Sequence, residues 1–342
     1  MSFAGIATAT RLEQIASILA DFRNRRILVV GDFMLDEYLW GHIERISPEA
    51  PVPVLRVVKR ELTMGGAGNV VKNLAGFGAQ VFALGVVGDD AAGALILEHL
   101  QALGVECSGV RRDAGRQSTR KSRLMSLEHG QQVFRFDEEL AHGVGAAAED
   151  FLIDRVRSLV GASDAVLCSD YAKGVLTPRV LQAAIQAARG HGKPSVVGPK
   201  ESNPEKYRGA TVLIPNATEL AQIAQVVPNG ASWPAAAALN VVNSLGVGSL
   251  LVTRGADGMS LFESTPAGMR RADIPTVARS VYDVTGAGDT VVSVFTLAIT
   301  SGADYETAGR LANVAAGVVV GKRGAVGVTE DEILEHVRED RS

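Results

Sequence analysis

The chain has 342 residues, 46% hydrophobic and 21% charged, with 37 glycines and a formal net charge of −4. That length allows one large α/β domain or two smaller ones, and the absence of a long basic run argues against nucleic acid as a partner. Apolar runs fall far short of a membrane span, residues 1–22 lack the order of a secretion signal, and two cysteines, Cys107 and Cys168, exclude a disulfide framework.

Read in chain order, Ile27 to Val30 is a short apolar run ending at Gly31-Asp32, the pattern of a buried parallel strand. Gly65 to Gly76 predicts a helix with a glycine-rich start, Val81 to Val87 a strand, and Ala91 to Leu103 a helix stopped by Gly104. Ala165 to Cys168 is the next strand, and Pro178 to Arg189 a helix with Pro in its first turn and Gly190 beyond its end. Val196-Val197, Val212 to Ile214 and Leu250 to Thr253 read as further strands, with helices near Glu219–Val226 and Pro234–Leu245. Gly258 to Phe262 and Met269 to Ile274 predict a hairpin. Helices are expected at Ala287–Thr300, Tyr305–Gly321 and Glu330–Arg338. The alternation predicts an α/β fold with a doubly wound, mainly parallel sheet.

Residues 1–24 are expected to form an N-terminal helical extension, 25–338 the main domain and 339–342 a charged tail. Segments 36–59 and 118–136 break the βα rhythm and alternate polar with apolar residues. They are read as strands of a small extra sheet acting as a β lid, or as two ordinary surface hairpins. Because uncovered strand edges find partners, lids of two chains are expected to pair into a homodimer. Six scattered histidines show no ligand spacing, so no zinc site is expected, and cytoplasm is the default location.

The segment that carries most chemistry is Asp283-Val284-Thr285-Gly286-Ala287-Gly288-Asp289-Thr290. It places small residues and a carboxylate where a long apolar helix begins. A helix start presents unpaired N–H groups and a positive dipole end, and Gly286 and Gly288 leave room for an anion to reach them. Asp289 beside a bound phosphate makes sense as a base that takes a proton from an attacking hydroxyl. A capped helix with a glycine-rich start is the plain alternative.

Asp32 follows a strand at its C-terminal end, where it could accept from sugar hydroxyls or cap a loop. Gly65, Gly66 and Asn69 either admit a sugar to the backbone or open a closely packed helix. Asn216 and Glu219, three apart at a helix start, fit a water-mediated magnesium site and equally a capping box. Arg45, Arg116, Arg120, Lys121 and Arg123 are candidates for gripping a substrate phosphate or are solvated charges. Lys173 and Lys200 sit at strand ends. Ala312, Asn313, Ala315, Ala316 and Gly317 form a thin wall for adenine or a tight helix contact. Gly66-Ala67-Gly68 lacks the third spaced glycine of a dinucleotide fold, and Gly321-Lys322-Arg323 lacks the hydroxyl residue of a P-loop.

Together these motifs resemble the ribokinase-like carbohydrate kinase family that includes phosphofructokinase B, over about residues 25–338. Gly65-Gly66-Ala67-Gly68-Asn69 matches the N-terminal signature loosely, with Asn73 on the same helix side. Asn216-Ala217-Thr218-Glu219 matches the Asn-x-x-Glu motif, Thr253-Arg254-Gly255 with Gly258 a nucleotide loop, and Asp283 to Asp289 the C-terminal signature. Gly31 to Asp36, Arg45 to Val54, Asp170 to Gly174 and Ala315 to Lys322 resemble the branch that acts on D-glycero-β-D-manno-heptose 7-phosphate.

The resemblance implies a ribokinase-like fold and ATP-dependent phosphorylation of the sugar 1-hydroxyl, for ADP-heptose and lipopolysaccharide inner-core synthesis. It implies ATP and Mg2+, with a monovalent cation as a further candidate, and a small-molecule sugar phosphate as partner. It implies Asp289, Gly286, Ala287 and Gly288 as catalytic, and Asp32, Asp36, Gly65, Gly66, Asn69, Arg120 and Lys173 as substrate-binding. Lys200, Asn216, Thr253, Gly255, Gly258, Thr285 and Asn313 are then nucleotide-binding, with Glu219 on the metal through water. Some relatives carry a fused nucleotidyltransferase domain; the chain ends at Ser342, so a stand-alone kinase is expected. One departure is Gly198-Pro199-Lys200, where similar kinases read Asp-Pro-Lys. The alternatives are another sugar kinase of the family, or a non-catalytic sugar sensor, which an ATP-turnover assay would separate.

Overall fold

The computed structural model describes residues 9–200, 203–229, 233–278, 280–322 and 327–339. The first eight residues of the expected N-terminal extension and residues 340–342 of the expected tail lie outside them.

A nine-stranded sheet forms the centre, in the order β13-β12-β11-β10-β9-β8-β1-β4-β5. Its parallel core comprises β1 (Arg26–Gly31), β4 (Gln80–Gly88), β5 (Glu106–Asp113), β8 (Ala165–Ser169), β9 (Ser195–Gly198), β10 (Val212–Leu213) and β11 (Ser249–Thr253). The hairpin β12 (Met259–Thr265) and β13 (Gly268–Ile274) closes one edge antiparallel. Side-chain alternation divides the core. Ile27 and Val29 of β1 face a cluster built with helices α1 (Ala9–Asp21), α2 (Ala67–Gly76), α3 (Ala91–Ala102), α8 (Ala287–Thr300), α9 (Tyr305–Val320) and α10 (Glu330–Glu339). Leu28 and Val30 face a second cluster with α4 (Ala146–Leu159), α5 (Pro178–Gly190), α6 (Ala217–Ala224) and α7 (Trp233–Leu245). Burial on both faces is why β1 is a continuous apolar run. Each such Leu or Val contributes about 1.5–3 kcal/mol.

Two elements escape the sequence reading. β5 is the sheet edge, with mixed burial and no clean alternation. α4 buries Ala148, Leu152, Ile153 and Val156, a helical period that the alanines at its start conceal. Gly65 and Gly66 also differ from expectation: they end a strand, and the helix begins at Ala67.

A second, four-stranded sheet stands outside the main layer, in the order β3-β2-β6-β7. It consists of β2 (Phe33–Ile46), β3 (Pro53–Gly66), β6 (Thr119–Ser126) and β7 (Gln132–Glu138). β2 leaves the C-terminal end of β1 and β3 returns to open α2, so one root of this sheet lies beside the switch point where strand order reverses between β1 and β8.

Candidate active site

At that switch point α8 meets α2 through a polar seam. Asn69 Nδ2 donates to Asp289 Oδ2 at 2.8 Å, and one turn on Asn73 Nδ2 donates to Thr290 Oγ1 at 3.4 Å. Tyr171, just after β8, donates its hydroxyl to Asp289 Oδ1 at 2.5 Å. Enclosure of the Asp289 carboxyl raises its pKa to about 6; the Tyr171 and Asn69 hydrogen bonds oppose that rise, and nearby Asp36 adds to it. A carboxylate tuned toward neutrality and fixed at a helix start is suited to general-base work.

Gly286, at φ +80°, makes the left-handed turn into α8, and a Cβ there would meet Asn69 Nδ2 at 2.7 Å. Nothing lies within 4 Å of the corresponding point at Gly288. The Ala287 amide donates to Val284 O at 3.3 Å, closing the turn into α8. The free amides of the first turn are those of Gly288 and Asp289 among the described residues. Thr285 donates its amide to Asp283 Oδ1 at 2.9 Å and so shapes the turn; it lines neither of the cavities described next.

Two cavities meet at Thr253, Gly255, Val284 and Gly288. The first, of about 520 Å³, has Asp289, Lys200, Asn216, Glu219 and Arg254 on its walls. The second, of about 390 Å³, is mostly apolar and bounded by Val281, Val291, Asn313, Ala316, Gly317 and Val320. Gly258, on its wall at φ +77°, sits where a Cβ would meet Ile274 O at 2.2 Å. Only one face of α9 reaches this slot. Ala312 and Ala315, expected in its wall, are fully buried in the core instead, because the helical period turns them away. Asn313 lines the slot while its Nδ2 donates to Pro275 O at 2.8 Å, tying the segment after β13 to α9.

Asn216 and Glu219 form a capping box: Asn216 Oδ1 accepts from Glu219 N at 2.8 Å and Glu219 Oε2 from Asn216 N at 2.9 Å. Glu219 Oε1 accepts from Lys200 Nζ at 3.0 Å. Capping and a place on the cavity wall therefore coexist. With both oxygens engaged, Glu219 suits an outer-shell role through water. No group of three or more metal-ligating side chains occurs among the described residues, and magnesium is commonly held by one or two carboxylates plus substrate phosphates. Gly198 borders the same cavity, and a Cβ there would meet only Val292 Cγ2 at 3.5 Å, an ordinary contact.

The second sheet sorts the remaining candidates by strand parity. Asp36 pairs in register with Lys121, and Lys121 with Asp137, so these share one face with Tyr38 and Arg123. Asp36, nearly buried, accepts from Arg123 Nη1 at 2.8 Å, and Gly65 packs so closely that a Cβ would lie 2.6 Å from Asp36 Oδ2. Arg120 projects from the opposite face, where it pairs with Glu138 beside buried Glu37. This corrects its expected role: a one-residue offset puts it on the far side from Asp36. Lys173 Nζ pairs with Glu139 at 2.9 Å, and Lys121 reaches the same carboxylate at 3.4 Å. Arg116 is buried and donates to the carbonyls of Lys173 and His142.

Asp32 also needs correction. It is 1% exposed, and its oxygens accept the amides of Tyr171 (2.9 Å), Lys173 (3.1 Å) and Val175 (3.0 Å). It caps a loop and is not presented to a ligand. Gly66, at φ +56°, lies where a Cβ would meet Asp32 O at 2.5 Å, and the next amide, Ala67 N, donates to that carbonyl. The sequence reading assigned Tyr171 no role, although it lies two residues past the C-terminal end of β8, where α/β sheets place ligands.

Residues 24–332 match the pfkB family carbohydrate kinases. Bifunctional protein HldE of Citrifermentans bemidjiense is 46% identical over 312 residues, covering 91% of this chain and 63% of that protein. The HldE protein of Geotalea uraniireducens is 43% identical over 325 residues, covering 95% and 65%. The chain thus spans somewhat under two thirds of the length of these curated relatives. Among solved structures, Arabidopsis thaliana ribokinase complexed with ribose and ATP aligns with a TM-score of 0.71 at 21% identity, covering 92% of this chain and 99% of that one. Escherichia coli phosphofructokinase-2 in complex with potassium aligns with a TM-score of 0.74 at 19% identity, covering 93% and 99%. At such identities these two establish the ribokinase-like fold alone. With its sheet, its glycine turn and the match over 24–332, the chain belongs to the pfkB family of carbohydrate kinases.

Proposed function

We propose that this chain transfers the γ-phosphate of ATP to the 1-hydroxyl of D-glycero-β-D-manno-heptose 7-phosphate. The observation that carries the reading is Asp289, held by Asn69 and Tyr171 at the start of α8, beside the free amides of Gly288 and Asp289. The apolar slot accepts adenine between α9 and the segment after β13, and the polar cavity receives the phosphates. Asp289 takes the proton of the sugar hydroxyl. That oxygen forms a bond to the γ-phosphorus as the bond to the ADP oxygen breaks, and ADP departs with the electron pair. The amides at the helix start meet the charge spread over the transferring group, where the dipole also favours it.

Lys200, Asn216 and Glu219 border the phosphate end of the cavity, and Glu219 would hold magnesium through water. The metal would neutralise charge on the nucleotide phosphates. Asp36 and Arg123, on the face of the second sheet nearest Asp289, orient the sugar, and the sheet itself acts as a lid. The choice of heptose follows the motifs at Gly31–Asp36, Arg45–Val54 and Asp170–Gly174. No helix among the described residues is long and apolar enough to cross a membrane.

A panel of heptose 7-phosphate, fructose 6-phosphate and ribose with magnesium-ATP tests the reading. Fastest turnover per KM on the heptose phosphate is expected. Preference for either other sugar would overturn the acceptor, and ATP turnover with none would overturn the kinase reading.

A further inference from the structure

We propose that Tyr171 is a positioning residue for the base: its hydroxyl holds the Asp289 carboxylate in the orientation that receives the sugar proton. The inference rests on the reading of Asp289 given above.

The carboxylate takes one fixed donor on each oxygen, Asn69 on Oδ2 at 2.8 Å and Tyr171 on Oδ1 at 2.5 Å. A carboxylate has about four lone-pair sites, so these two bonds leave room for a sugar hydroxyl. The last torsion of an aspartate is broad and does not lock itself. Two donors from different elements, α2 and the loop after β8, lock it from outside.

The loop that presents Tyr171 is braced far beyond the needs of a connection. Asp32 accepts three of its amides, and Arg116 donates to the Lys173 carbonyl. Asp170 Oδ1 accepts from Ala172 N, while its Oδ2 takes the Tyr207 hydroxyl at 2.8 Å and pairs with Lys206 at 2.7 Å. Ala172 holds φ at +55°, a conformation non-glycine residues seldom adopt without such bracing. None of these contacts passes through the Tyr171 hydroxyl. Removing that oxygen therefore leaves the loop's bracing in place and takes away one bond to the base.

Few charged groups among the described residues face Asp289. Asp36, held by Arg123, acts on it from β2, and Lys200, Glu219 and Arg254 stand on the walls of the shared cavity. Asp170, also on that wall, is already paired with Lys206. Burial raises the Asp289 pKa and the Tyr171 hydrogen bond lowers it, so loss of the bond raises it further.

The test is Tyr171→Phe in the full chain. Its expected signature is unchanged binding of a non-hydrolysable ATP analogue and a nearly unchanged Tm at pH 4, where the folded-state Asp289 carboxyl is protonated in both proteins. The acid limb of the kcat/KM–pH profile should move to higher pH, and kcat on the high-pH plateau should fall about ten- to a hundredfold. Independently of any sugar, 13C NMR of the carboxyls, with Asp289 assigned by its loss in Asp289→Asn, should show Asp289 titrating at higher pH in Tyr171→Phe. An Asp289 titration that does not move overturns the proposal, whatever the sugar panel shows. So does a slower enzyme whose acid limb stays put while its Tm drops, since that is a packing defect. Failure of the wild-type chain to phosphorylate any sugar would instead strike the kinase reading, and the NMR titration keeps the two failures apart.

Discussion

Replacing Asp289 by Asn should cost activity, because the base is lost, and add stability, because an enclosed charge is removed. In the folded chain the carboxyl titrates at about 6 against an ordinary value of 3.8 because the surrounding protein disfavours its charge. Between those values the folded state holds a proton that the unfolded chain has released, so stability falls as pH rises through this window. Above pH 6 the full penalty applies. Each pH unit of separation is worth about 1.4 kcal/mol, giving a ceiling of about 3 kcal/mol. Residual access to the cavity reduces this, and about 1–3 kcal/mol is the expected gain for Asp289→Asn at pH 8. Below pH 4 the wild-type carboxyl is protonated as well and the gain should vanish. Urea unfolding of both proteins at pH 4, 6 and 8, beside kcat at pH 8, is the assay. The kcat should fall by at least about 10²–10⁴, the usual worth of a general base. A variant no more stable than wild type at pH 8, or equally stabilised at pH 4, would refute the argument from burial. Near-normal kcat would remove Asp289 as base.

Gly288→Val has open space around its new side chain, so it should fold normally and lose about 10²–10³ in kcat by obstructing the phosphate's approach; full activity would clear that turn of an anion-binding role. Glu219→Gln keeps an acceptor for the Asn216 amide but loses the charge opposite Lys200, and should raise the magnesium concentration for half-maximal rate more than the sugar KM; a superimposable magnesium titration would leave Glu219 as a helix cap. Gly198→Asp meets only Val292 and needs no unusual backbone, so it should lower the magnesium requirement by up to about tenfold without lowering Tm; an unmoved requirement at unchanged Tm takes position 198 out of metal organisation. Phe134 (60% exposed) and Phe136 (40% exposed) share the outer face of the second sheet with Leu124, and this face should pair with a second copy. Light scattering should report a dimer that Phe134→Asp dissociates, and a monomeric wild type at working concentration would end that proposal.

Local pattern alone was enough for much of this molecule. The buried runs at Ile27–Val30, Ala165–Cys168 and Leu250–Thr253 carry their own evidence of parallel strands, because burial on both faces demands uninterrupted apolar residues. Helix ends such as Pro178 and the glycine turn before Asp289 are likewise written in residue types with few conformational choices. The side on which a residue lands is another matter. Arg120 and Lys121 are adjacent and chemically alike, and only the registration of β6 against β2 and β7 turns one away from Asp36 and the other toward it. Ala312 and Ala316 differ in the same way, one sealed in the core and one on the slot. Asp32 has the chemistry of a sugar ligand until three amides from a loop 139 to 143 residues away occupy its oxygens. Tyr171 and Asn69 become partners of Asp289 only when β8, α2 and α8 are brought to one switch point. Composition and spacing report what a side chain can do, whereas hydrogen-bond occupancy and facing are properties of contacts between distant segments, which exist only once the chain has folded.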